Sequence, residues 1–277
     1  MLEVGSLRLD GRPIMNAAGT LSKENVEEVR GVYGALVTKT VTPEPRRGNP
    51  PPRLAEATSG GMVNSIGLQN PGVDRFLEED LEEWASHGLP VVVSVGGSVR
   101  EDFEMVCRRL LDHADRVAAV EVNLSCPNLK YGNRVNFCSS PHEAALITQA
   151  CARWLRGRTP ILAKLAAENC SIVAPAVERA GADAITLINT VPALAWLPEE
   201  TEPLLGGLSG PAIKPIALRA VYEVSRRVRV PVIGCGGIGS GRDVAEFAWA
   251  GAAGVQIGSA SFAKDPWWIV KEWEELR

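Results

Sequence analysis

Short, unbroken runs of apolar and β-branched residues alternate along this chain with longer stretches in which apolar positions recur every three or four residues. The runs are Ile14–Ala17, Ala35–Thr40, Val91–Val95, Ala118–Leu124, Ile161–Leu165, Ala184–Asn189, Pro231–Cys235 and Gly254–Gly258. Their apolar residues are continuous rather than alternating, so each predicts a strand buried on both faces. Between them, Val73–His87 places Val73, Phe76, Leu77, Leu81 and Trp84 on one helical face. Glu101–His113, Pro141–Leu155, Ile172–Ala180, Pro211–Arg227 and Arg242–Ala250 have the same period. Gly88, Gly157, Gly181 and Gly251 follow helical stretches where a left-handed cap is cheapest. PWWIVKEWEEL predicts a last helix packed on the outside. Eight β/α units joined by right-handed crossovers predict an α/β fold of the (β/α)8 (TIM) barrel type, a single domain over residues 1–277. The opening LEVGSLRLDGRP predicts a short β-hairpin ahead of the first barrel strand, with Asp10–Gly11 as its two-residue turn. The alternative, an open doubly wound sheet, calls for GxGxxG after the first strand; here the glycines cluster after the last two.

The runs begin at residues 14, 35, 91, 118, 161, 184, 231 and 254, so the chain spends most length after the second, fourth and sixth. In barrels the loops that follow strands build the active site. After the second run, TKTVTPEPRRGNPPPRLAEATSGGMVNSIGLQNPGV predicts an ordered, non-helical loop dense in backbone donors. The fourth run ends in NLSCPN, and the loop after the sixth ends in GGLSGPAIKP, where Pro211 can open the next helix. The seventh and eighth runs end in GCGGIGSGRD and QIGSASF. Glycines there let backbone N–H groups approach an anion, and this pair of loops is the recurrent phosphate site of barrels.

Composition narrows the classes. With 29 Lys+Arg against 33 Asp+Glu the net charge is −4, which leaves no basic field for nucleic acid or an acidic membrane. No apolar run reaches the roughly 18 residues that span a bilayer, and the first residues lack a signal-peptide layout. The six cysteines have no CxxC or zinc-type spacing, which predicts reduced thiols, a cytoplasmic protein and no metal site. Lys39 and Lys164 stand near the ends of buried strands, where a charge is costly unless a ligand or partner meets it. Asn64, Asn123, Asn128 and Asn189 fall on the same face, and amides suit a planar imide or carboxylate-bearing ring. Cys126, between Ser125 and Pro127, reads either as a core thiol or as a base or nucleophile. Cys138 reads as a bystander, and His87, His113 and His142 fall in helices without a role.

Together, NAAGT (Asn16–Thr20), TKTVTPEPRRGNPPPR (Thr38–Arg53), NSIGLQNPG (Asn64–Gly72), NLSCPN (Asn123–Asn128), INT (Ile188–Thr190), GGLSGPAIKP (Gly206–Pro215), IGCGGI (Ile233–Ile238) and IGSA (Ile257–Ala260) carry a family resemblance. The chain resembles the class 1 dihydroorotate dehydrogenases, flavin enzymes of pyrimidine synthesis built on a (β/α)8 barrel. The resemblance implies FMN at the C-terminal mouth, its phosphate on Gly236, Gly237, Gly258 and Ser259 with Gly210 nearby. Lys164 would face the polar edge of the flavin, with Ala18, Gly19 and Thr40 along the other side and Lys39, Asn123 and Ile188 completing the cofactor set. Lys39, Asn64, Ser65, Ile66, Gly67, Leu68, Asn123, Asn128, Asn189 and Thr190 would hold dihydroorotate. Cys126 would be the base that takes the C5 proton while hydride leaves C6 for the flavin, whereas class 2 enzymes carry serine there. Three features depart from the family pattern: Ser94 where relatives have asparagine, the stretch Lys130–Ser140 after NLSCPN, and a short segment between Thr190 and Gly206. NSIGLQNPGV is more similar to the NAD-linked class 1B branch than to the fumarate-linked class 1A branch. No NAD fingerprint and no C-x4-C-x2-C spacing is present. The resemblance therefore implies a homodimer that passes electrons to a separate subunit carrying FAD and a 2Fe–2S cluster. The alternatives are a fumarate-linked enzyme, a related flavoenzyme acting on another dihydropyrimidine, and a non-catalytic flavin-binding subunit.

Overall fold

The computed structural model describes residues 2–9, 11–57, 60–126, 136–198, 200–263 and 265–276. In chain order the strands are β1 (Leu2–Val4), β2 (Leu7–Leu9), β3 (Ile14–Asn16), β4 (Leu36–Val37), β5 (Leu54–Ala57), β6 (Gly61–Asn64) and β7 (Val91–Val95). They continue with β8 (Ala119–Asn123), β9 (Ile161–Leu165), β10 (Ala184–Leu187), β11 (Val191–Ala195), β12 (Leu204–Ser209), β13 (Val232–Cys235) and β14 (Gly254–Ile257). Eight of them pair in parallel in the order β3-β14-β13-β10-β9-β8-β7-β4. A parallel bridge between Met15 and Ala35 joins the two edges, so the sheet closes into a barrel. All eight predicted runs supply these strands, because a wall covered by helices outside and packed side chains inside needs apolar residues on both faces.

Amphipathic helices cover the outside. Arg100–Leu110 buries Phe103, Val106, Cys107 and Leu110. Pro141–Leu155 starts on Ser140, whose hydroxyl accepts from the Glu143 amide. Cys170–Ala180 and Gly241–Ala250 end at Gly181 (φ 109°) and Gly251 (φ 108°), the left-handed caps predicted. The helix predicted over Val73–His87 forms over 73–86, with one wide turn at Phe76–Asp80. The first unit departs from the expectation of a helix after every strand. It has only two single 3-10 turns, at Lys23–Asn25 and Glu27–Val29, which bury Val26 between them and pack Leu21 and Val29 on the core.

The hairpin forms, but its turn is Gly5–Ser6 rather than Asp10–Gly11: Val4 pairs with Leu7, and Gly5 takes φ 56°. The two strands turn Leu2, Val4, Leu7 and Leu9 inward onto Met15, Val37, Val92, Leu162 and Ile233. This cluster fills the end of the barrel from which the strands start and leaves the opposite mouth as the place for a ligand.

The long loop after β4 is ordered and non-helical, as expected, and it pairs with the long loop after β10. β5, β6, β11 and β12 pair antiparallel in the order β11-β12-β6-β5, forming a small sheet beside the mouth. Asn64 at the end of β6 lies opposite Gly207 of β12, and Leu208 lies opposite Val191, just beyond Asn189 and Thr190.

Candidate active site

Three groups of residues meet at the mouth. The first is a glycine cradle. Gly236 and Gly237 leave β13 with φ of 123° and 73°, conformations open to glycine. A Cβ on Gly237 would sit 2.7 Å from Lys214 Cβ and 2.8 Å from the Lys214 nitrogen; one on Gly210 would sit 2.5 Å from Gly61 Cα. Ile188 packs against Gly236, and its amide donates to the Cys235 carbonyl. Ser240 then caps Gly241–Ala250, and Asp243 accepts from the Gly239 amide at 2.9 Å while pairing with Lys214. Gly258 and Ser259 stand half-buried at the end of β14, ahead of the short helix Ala260–Ala263, with Ala17 beside Gly258. At Gly210 and Gly237 only backbone fits, and the chemistry of the cradle fits a phosphate group.

The second group is a chain of hydroxyls and amides across the strand ends. Asn123 donates to Thr40 Oγ1 at 3.2 Å, and Thr40 bonds the Ser94 hydroxyl at 2.9 Å. Asn189 donates to Asn123 Oδ1 at 3.2 Å and to Ser125 Oγ at 3.1 Å, while its own Oδ1 accepts from the Thr190 amide at 2.8 Å. Ser125 Oγ donates to the Lys164 carbonyl at 3.1 Å. Ser94, the departure from the family pattern, is fully buried and is occupied with Thr40. Cys126 follows directly after Ser125 in the chain and is buried. Cys138 is buried too; it donates to the Leu124 carbonyl, and burial pushes its thiol up to about 12, which suits a bystander.

The third group is the loop from Asn64 to Leu68. Asn64 donates to the Gly207 carbonyl at 3.2 Å, and Asn49 donates to both oxygens of Ser65 while its amide donates to the Ile66 carbonyl. A Cβ on Gly67 would meet Asn49 Oδ1 at 2.6 Å. Leu68 holds a left-handed φ of 54° beside Gly96, with its carbonyl accepting from Asn70. Asn70 also accepts from the Thr42 and Gly72 amides, so one buried side chain sets the turn. Sequence reasoning missed that role; an asparagine before Pro-Gly is the signal that was available.

The two lysines part company. Lys164 is 4% exposed and lies inside the barrel, where its Nζ donates to Gln256 Oε1 at 2.9 Å and pairs with Glu121 Oε1 at 3.4 Å. Burial pulls its pKa down, and the Glu121 carboxylate, followed by Cys235, more than reverses this, so the ammonium is favoured. Lys39, expected at a costly buried position, instead reaches solvent at the rim. The surrounding protein and then Arg53 lower its pKa. With Gly19, Ser261, Phe262 and Trp84 it lines a cavity of about 820 Å³ beside the mouth. Ala18 is half-buried next to Gly19. Asn128 lies outside the described residues, as does the stretch 130–135. Glu121 and Gln256 also escaped the sequence reading, although a carboxylate within VEVN and an amide within VQIG were signals of a polar barrel interior.

Fold and mouth together define a (β/α)8 barrel whose strand ends gather a glycine cradle, a row of amides and hydroxyls, and a buried lysine. A family model, "Dihydroorotate dehydrogenase", matches residues 3–277. A Geobacillus sp. (strain WCH70) protein named "Dihydroorotate dehydrogenase B (NAD(+)), catalytic subunit" is 46% identical over 235 residues, 83% of this chain and 74% of that protein. One of the same name from Trichlorobacter lovleyi is 45% identical over 270 residues, 94% of this chain and 87% of that protein. The crystal structure of DHODH in complex with ferulenol from Eimeria tenella has a TM-score of 0.80 at 22% identity, covering 95% of this chain and 81% of that one, which bears on the fold alone. The chain belongs to the dihydroorotate dehydrogenase family of flavoenzymes, and it is an oxidoreductase.

Proposed function

We propose that this chain is the catalytic subunit of an NAD-linked dihydroorotate dehydrogenase, oxidising dihydroorotate to orotate in pyrimidine synthesis. The observation that carries the reading is the placement of buried Cys126 directly beyond the Asn123–Asn189–Ser125 network, with the glycine cradle and Lys164 around the same mouth. FMN bound there supplies a two-electron acceptor for the hydride from C6. Gly236, Gly237, Gly258 and Ser259 would hold its phosphate, with Gly210 behind them. Ala18, Gly19, Thr40 and Ile188 would flank the ring, and Lys164 would give positive charge to its polar edge.

The chain's own residues do the rest. Cys126 takes the C5 proton; a thiol ordinarily titrates near 8.5, within reach of neutral pH given modest help. Asn64, Asn123 and Asn189 offer donors and acceptors to the imide and carboxylate, and Thr190, Lys39 and the backbone of Ser65–Leu68 close around them. Asn128 belongs to this set by its place in NLSCPN. Electrons then leave for NAD through a separate subunit carrying FAD and a 2Fe–2S cluster, and the barrel itself forms a homodimer. The names of the similar proteins support a separate partner, as does the missing dinucleotide fingerprint after the first barrel strand.

The test is an anaerobic titration of the FMN-loaded chain with dihydroorotate, followed by flavin absorbance. Stoichiometric bleaching is expected, with dihydrouracil inert. No bleaching by dihydroorotate overturns the reading. The isolated chain should reduce neither NAD nor fumarate briskly; rapid fumarate reduction would move it to the fumarate-linked branch.

A further inference from the structure

Among the described residues, the most deeply buried carboxylate belongs to none of the motifs that mark the site. Glu121, within β8, is fully buried. Its Oε2 accepts from Gln256 Nε2 at 2.6 Å and from Thr186 Oγ1 at 3.1 Å. Its Oε1 has no hydrogen-bond donor among the described residues and lies 3.4 Å from Lys164 Nζ. Gln256 closes the ring by accepting from Lys164 at 2.9 Å. Four strands, β8, β9, β10 and β14, thus contribute one side chain each to a cluster just beneath the mouth.

Each member has a distinct task. A buried ammonium without a partner sheds its proton, since burial alone can depress a lysine by several pKa units. Gln256 does not prevent this, because an amide oxygen accepts from a neutral amine as well as from an ammonium. Only a negative charge discriminates between the two forms, and among the described residues Glu121 is the one carboxylate paired with Lys164. The other titratable group facing Lys164 is the Cys235 thiol at the end of β13, which burial raises toward its neutral form. β10 and β14 present Thr186 and Gln256, which do not titrate.

We propose that Glu121 is a positioning residue for the reaction: it keeps Lys164 charged and anchored, so that the positive charge offered to the reduced flavin is set by the barrel rather than by ambient pH. Thr186 and Gln256 hold the carboxylate in place from its far side. The proposal rests on the flavin reading above for its purpose, but not for its first test.

That test is made on the ligand-free chain, labelled with ¹⁵N-lysine, by following the Lys164 Nζ resonance from pH 6 to 10 and assigning it by its loss in Lys164→Met. The wild-type group should remain an ammonium across the range, and Glu121→Gln should bring its titration down by about 2 pKa units or more. Titration of Lys164 at the same pH in both chains overturns the proposal. Should Glu121→Gln not fold, Glu121→Asp withdraws the charge by one methylene and should lower the titration by a smaller amount; no lowering overturns it equally. The second arm is the midpoint potential of bound FMN against pH. Glu121→Gln should add an inflection at the pH where Lys164 titrates, whereas a curve parallel to the wild type overturns the link to the cofactor. A normal Lys164 response in a chain that takes up no FMN would leave Glu121's task intact and sink the flavin reading instead.

Discussion

Asn189 donates to Asn123 Oδ1 at 3.2 Å, and this contact joins the ends of two barrel strands that are 66 residues apart in the chain. Asn189 Oδ1 accepts from the Thr190 amide and Asn123 Nδ2 donates to Thr40, so both amides are oriented by protein partners on either side. A ligand entering the mouth meets polar groups already aimed, with little ordering left to pay for on binding. Cys126 comes three residues after Asn123 and directly follows Ser125, which bonds both Asn189 and the Lys164 carbonyl.

Cys126→Ala should retain FMN and lose reduction by dihydroorotate at neutral pH by about 10²–10⁴-fold, the usual worth of a positioned base. Cys126→Ser should recover part of the rate only as pH rises, because a hydroxyl gives up its proton far less readily. Stopped-flow flavin reduction measures both, and an unchanged rate in the alanine variant would remove Cys126 from the mechanism.

Gly237→Ala should impair the cradle. The residue's φ of 73° costs an L side chain about 1–2 kcal/mol, and the new Cβ would lie 2.8 Å from the Lys214 backbone nitrogen, which cannot rotate away. FMN affinity, read by fluorescence quenching, should fall together with melting temperature. Wild-type affinity would show that the phosphate sits elsewhere.

Leu7→Ala should destabilise the chain by about 2–5 kcal/mol without touching the mouth. Leu7 is fully buried with Leu2, Leu9 and the inward residues of the barrel strands at the closed end. Chemical denaturation gives the magnitude, and flavin reduction in the folded variant should remain normal. A loss within experimental error would mean that the hairpin does not plug the barrel.

Asp243 predicts a pH dependence. Burial alone would raise its pKa, but the bonds from Lys214 and the Gly239 amide outweigh that and hold the carboxylate below its ordinary 3.8. A depressed folded pKa means that the unfolded chain binds the proton first as pH drops. The stabilisation is therefore complete above about pH 4 and is lost as pH falls through the folded value. Asp243→Asn should cost about 1.5–3 kcal/mol at pH 7, with the gap to wild type closing below pH 3.8. A gap that stays constant down to pH 3 would exclude the carboxylate as its source.

Much of the fold was legible in local pattern. Continuous runs such as Val91–Val95 and Ile161–Leu165 became strands over those same residues, and Pro141–Leu155 became a helix over its whole predicted length. Gly181 and Gly251 took the left-handed caps that their places demanded. The glycine loops after the last two strands were legible as well, because only backbone conformation is at stake there. The hairpin turn was misplaced because two glycines, Gly5 and Gly11, offered turns, and the choice depended on which leucines could reach the barrel interior.

Local pattern therefore fixes period: strands, helices, caps, and which polar residues stand at strand ends. The antiparallel sheet was decided by tertiary structure, since Asn64 finds Gly207 across 143 residues and neither segment carries a local sign of the other. Charge compensation was decided there too. Lys39 and Lys164 look alike along the chain, one reaching solvent and the other enclosed with Glu121 and Gln256. Neighbours in sequence set a residue's backbone and facing, but the energy of a buried charge depends on which groups closure of the barrel brings within a few ångströms, and that distance exists only once all eight strands are in place.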